Sequence, residues 1–141
     1  MSFDPARLRP AEVCALLAAL ALGVALFEPW FEISGARRDA WSAVSAAGVL
    51  AALSAASGLA LVAVTVTQRS PSLPLAAAVS TVVLAFASTI LIAVVAASPP
   101  ALETARCFGL WLGLAGSLGV LVAAWFSLRD ERPFWGVPVS R

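Results

Sequence analysis

Apolar and polar positions divide the chain into four long apolar runs, separated by short stretches that hold nearly all of its charges. The first run goes from Ala11 through Phe27 into the Pro29-Trp30-Phe31 cluster. The second extends from Trp41 to Thr67, the third from Leu73 to Ala97 and the fourth from Cys107 to Leu128. Each approaches or exceeds the ~20 helical residues that cross ~30 Å of hydrocarbon. None alternates apolar and polar residues as the strands of a membrane barrel do, so each run predicts a helix, which satisfies its own backbone in lipid. The predicted fold is an all-α polytopic membrane protein, a four-transmembrane-helix bundle with spans at about 11–30, 41–67, 73–97 and 107–128. A cytoplasmic N-terminal segment (1–10) precedes the bundle and a cytoplasmic tail (129–141) follows it.

Prolines punctuate these runs. Pro10 suits the first turn of the first helix, Pro71 and Pro74 bracket the turn between the second and third, and Pro99-Pro100 stops the third. The stretch from Pro99 to Arg106 predicts a short interfacial helix leading into the fourth span, with Glu103 and Arg106 on one face. The first run ends in Phe27-Glu28-Pro29-Trp30-Phe31 and not in a small-residue cleavage site, so it reads as a retained span and not a signal peptide.

Charge sets the orientation. With both ends inside, the cytoplasmic segments carry Arg7, Arg9, Arg69, Arg129, Arg132 and Arg141, against Arg37, Arg38 and Arg106 outside. That bias favours N-in/C-in. Composition agrees with a lipid environment: 61% hydrophobic residues and 12% charged ones leave too little polar surface for a soluble fold of 141 residues. A net charge of +1 points to no nucleic-acid partner. The expected location is the inner or plasma membrane, and the first partner is the bilayer itself.

Chemistry is scarce. His, Lys and Tyr are absent, which removes the usual general bases, Schiff-base lysines and mixed metal sites. No catalytic, cofactor-binding or metal-ligating residue is assigned, and no enzyme is expected. Cys14 and Cys107 fall near opposite membrane faces, too far apart for a disulfide, and read as small apolar residues.

Four groups of residues remain as candidates. Phe27, Trp30, Phe31 and Trp41 gather at the outer interface. They read either as an aromatic belt or as a cap in which Trp30 and Trp41 fold the first outer loop over the bundle mouth, with Glu28 or Glu32 paired to Arg37 or Arg38. Trp111 suits either belt or helix packing. Gly109 and Gly113, reinforced by Gly116 and Gly119, form a small-residue face on the fourth helix that permits close approach within the bundle or between protomers. Ser80, Thr81, Ser88 and Thr89 on the third helix can bond to their own helix or to a neighbour. Glu12 is the one acid inside an apolar run, an alternative proton or cation site. Ala11-Glu12-Val13 resembles the start of the first helix of small multidrug exporters, although Glu12 lies next to Pro10 near the membrane boundary.

The layout as a whole resembles small four-helix membrane proteins of actinobacteria that carry no assigned activity. The resemblance rests on Pro29-Trp30-Phe31, Ala40-Trp41, Arg69-Ser70-Pro71-Ser72-Leu73-Pro74 and Trp125-Phe126-Ser127-Leu128-Arg129-Asp130-Glu131. It implies a topology and no activity. The expected role is a structural or interaction bundle that self-associates or joins a larger membrane complex. The alternative is a small transporter or lipid-binding protein.

Overall fold

A computed structural model describes residues 10–67, 72–98 and 103–130. The arginines and prolines of 1–9, 68–71, 99–102 and 131–141, with Phe134 and Trp135, lie outside the described residues. The chain is mostly helical: α1 (Pro10–Ala25), α2 (Ala40–Ala43), α3 (Ser45–Thr67), α4 (Ser72–Ala97) and α5 (Phe108–Asp130). Three short strands, β1 (Phe31–Ile33), β2 (Ala36–Arg38) and β3 (Glu103–Arg106), join in one antiparallel sheet of order β2-β1-β3. The long helices pack in a ring in which α1 and α4 each contact both α3 and α5. α3, α4 and α5 are long and apolar enough to cross a membrane, while α1 is a shorter apolar helix of 16 residues.

The helix boundaries differ from the sequence expectation at the outer ends. The first helix stops at Ala25, short of residue 30. Its last turn tightens into Leu26 N–H to Gly23 O and Phe27 N–H to Val24 O bonds, and Pro29 then prevents continuation. The second run does not start as one helix at Trp41. Asp39 caps the single turn of α2, Val44 leaves helical geometry at φ −145° and ψ 85°, and α3 begins at Ser45. At the opposite end, Pro74 falls inside the first turn of α4, where its missing N–H costs no helical bond.

The predicted interfacial helix before the fourth span is instead β3. Glu103 and Arg106 are strand residues, opposite Ile33 and Phe31 respectively. Residues 103–106 spend backbone bonds on β1, whose other edge is already held by β2. Ser34 and Gly35 close the β1–β2 hairpin with φ of 52° and 78°. Two positive φ values match the twist of a two-residue hairpin, and Gly35 adopts its value without a Cβ penalty.

Side-chain size sorts inward and outward. Ala15, Ala19, Ala51, Ala78, Ala85 and Ala124 are buried, whereas Leu17, Val24, Val83, Phe86, Leu118 and Phe126 are half exposed or more. Small residues inside let helices approach, and large apolar residues outside suit a hydrocarbon solvent and not water. Bulk enters the core mainly near the sheet. There Trp30 and Phe31, both fully buried, pack with Leu22, Leu26, Ile92 and Leu110.

Candidate functional site

The sheet end of the molecule is built on Trp30. Because α1 ends at Ala25, its last carbonyls lack helical partners. The Trp30 indole Nε1 donates to the Ala25 carbonyl at 2.7 Å, which caps that end from within the core. The Trp30 backbone joins the two outer loops: its N–H donates to the Arg38 carbonyl (2.7 Å), and its carbonyl accepts from the Cys107 N–H (2.8 Å). One residue earlier, the Pro29 carbonyl accepts from the Gly109 N–H (3.0 Å), an amide in the first turn of α5. The segment that follows α1 thus satisfies both a carbonyl at the end of that helix and an amide at the start of α5.

This junction explains the glycines of α5. A Cβ on Gly109 would lie 2.6 Å from the Pro29 carbonyl oxygen, and one on Gly113 would lie 3.1 Å from Cζ2 of Trp30. Further along, a Cβ on Gly116 would meet the Leu22 backbone at 3.0 Å, and one on Gly119 would meet Cβ of Ala18 at 2.9 Å. All four glycines face α1 and its extension, so this stripe is a seam inside the molecule.

The aromatic candidates separate. Trp30 and Phe31 are core residues and not an interfacial belt, because the chain turns back after Phe27 and carries both under the sheet. Phe27 and Trp41 remain exposed. Trp41 also covers the start of α3, where a Cβ on Gly48 would approach its ring at 3.3 Å. Trp111 is half exposed. Glu32 stands opposite Arg37 in the β1–β2 register, while Glu28, Arg37 and Arg38 are exposed.

Asp39, which the sequence offers with Glu28 and Glu32 as a possible acidic cluster paired to loop arginines, takes a capping role that the sequence reading did not include. Its Oδ1 accepts from the Ser42 hydroxyl (2.7 Å) and the Ser42 N–H (2.9 Å). Those bonds, with Arg38 contributing, hold its carboxyl below the ordinary carboxylate range. A polar recess of about 340 Å³ lies here, lined by Phe27, Pro29, Arg37, Arg38, Asp39 and Ser42. The signal available in sequence was Asp39-x-x-Ser42 before an apolar run, a helix-start pattern.

Glu12 lies at the other end, in the first turn of α1. It is buried, and its Oε1 accepts from the Ser127 hydroxyl of α5 at 3.3 Å. This contact places the start of α1 beside the end of α5, away from the sheet. Hydroxyls on α4 bond in both directions: Thr81 donates to Ala77 O and is also 3.1 Å from Ser57 O, and Thr89 bonds Ala85 O and Ser117. Among the described residues Ser80 bonds only its own helix, and the buried Ser54 and Ser88 hydroxyls find no partner. Cys14 and Cys107 are free thiols. Among the described residues no group of three or more potential ligands is arranged to hold a metal ion.

Comparison with protein-family models, curated proteins and solved structures returned no match for this chain. The roles of these residues therefore rest on geometry alone.

Proposed function

We propose that the chain is a four-pass protein of the cell membrane, with both ends in the cytoplasm, whose role is to join partners through its outer cap and not to catalyse a reaction. α1 is the short span, completed toward the outer face by Leu26 and Phe27. The support is the side-by-side position of the α1 start and the α5 end, with the sheet at the opposite end, as an even number of crossings requires. The arginine bias then directs the sheet outward. The proposed relationship to small actinobacterial membrane proteins is one of topology.

The observation that carries the interaction role is the sheet itself. The described parts of both loops join in one platform around a buried tryptophan, and every residue of its β2 edge is exposed. A rigid surface with a free strand edge suits docking of a second copy or a larger membrane protein. The glycine face of α5 is occupied by α1 and offers no surface for self-association, so the cap is the contact region. Crosslinking and affinity capture from the native membrane are expected to recover a partner or a dimer, and Arg37→Glu with Arg38→Glu is expected to weaken recovery. A lone monomer at every concentration, with no partner captured, contradicts the proposal.

A transporter is the second reading, favoured by the buried Glu12–Ser127 contact. Glu12→Gln would then abolish proton-coupled export in vesicles, and unchanged flux removes Glu12 from that role.

A further inference from the structure

Two apolar grooves flank α5 near the chain ends. The first, about 520 Å³, lies between α1 and α5. Its origin is side-chain size: the helices pack closely where Gly116 meets Leu22 and Gly119 meets Ala18, and beyond that point Ala11, Cys14 and Ala123 are too small to fill the gap. The second, about 410 Å³, lies between α4 and α5 and is walled by Val82, Phe86, Leu121 and Trp125. Val122 and Phe126 line both grooves and form the ridge between them.

We propose that this ridge seats one anionic diacyl phospholipid, with an acyl chain in each groove and the phosphate on Arg129. Two observations select this occupant. Steps of four and three residues carry the face of Val122 through Phe126 to Arg129, an exposed cation in the last turn of α5. Two almost wholly apolar grooves that share the Val122–Phe126 ridge and lie on the same helix as Arg129 fit two acyl chains joined at one charged headgroup. The carbonyls that end α5 carry partial negative charge and oppose a phosphate, so attraction depends on the Arg129 guanidinium. The inference rests on the membrane reading above. It goes further by naming a lipid class, a leaflet (that of the chain ends) and a headgroup contact.

The test uses the full chain purified in mild detergent, with native mass spectrometry of lipid retention. Phosphatidylglycerol, phosphatidylcholine with the same acyl chains and single-chain lysophosphatidylglycerol are titrated separately. One phosphatidylglycerol is expected to bind about fivefold tighter than phosphatidylcholine, the worth of one arginine near a charged headgroup. It is also expected to bind tighter than the single-chain lipid. R129Q should erase the headgroup preference, and C14W, which fills the first groove from an exposed position, should erase the preference for two chains. Equal retention of the three lipids by the unaltered protein, or preferences that survive both substitutions, overturns the proposal. The unaltered protein alone decides the matter if either variant fails to fold. Carbonate washing of native membranes separates the two levels: release of the protein defeats the membrane reading, whereas retention without lipid preference defeats the lipid seat alone.

Discussion

Replacing Trp30 by Phe keeps an aromatic ring in the core and removes one donor, the Nε1 proton that reaches the Ala25 carbonyl. The carbonyl is then left without that partner in a site closed to water, at a cost of about 1–3 kcal/mol. A denaturing-detergent titration read by circular dichroism should show that loss in W30F. Gly109→Ala tests the same junction from the other side. Its Cβ would meet backbone oxygen and not a flexible side-chain end, so α5 must move away from Pro29, with an expected loss of about 1–3 kcal/mol. Asp39 adds a pH dependence. Its folded pKa is lowered, so its contribution is complete above the unfolded value of about 3.9 and disappears as pH falls through the folded one. Proteolysis of the outer loop should therefore be slower in the unaltered protein than in D39N at pH 5, with the difference shrinking below about pH 4. Legibility varied among these residues. Gly109 and Gly113 stood out by spacing, whereas Trp30 read first as a belt residue and only second as a cap, because a tryptophan at the end of an apolar run has the same local sequence in both roles.

Among the elements, the long helices were legible and the sheet was not. Apolar runs of more than 20 residues identify α3, α4 and α5 through length alone. The strands are three or four residues long, and they are stabilised by one another across more than sixty residues of sequence and by the Trp30 backbone. No local pattern records such pairing. Arg37-Arg38 reads as a solvated loop, and only Ser34-Gly35 gives a turn signal. The register offers a direct check. In a background lacking Cys14 and Cys107, E32C with A105C should form a disulfide on mild oxidation, because these residues are partners across β1 and β3. An interfacial helix at 103–106 would leave them uncrosslinked.

At the scale of the molecule, small residues inside and large apolar residues outside invert the arrangement of a soluble bundle. The sheet closes the end remote from Glu12 and Ser127, and the short α1 relies on its extension through Leu26 to Trp30 to reach that end. We propose a molecule that crosses the membrane four times, with its cap outside and its ends within. Substituted-cysteine labelling with a membrane-impermeant maleimide tests it most directly, using single cysteines at Arg37 and Ser140 in a background without Cys14 and Cys107. In intact cells the account expects R37C to label and S140C to label only after permeabilisation. Labelling of S140C in intact cells, or protection of R37C until the membrane is opened, would contradict it.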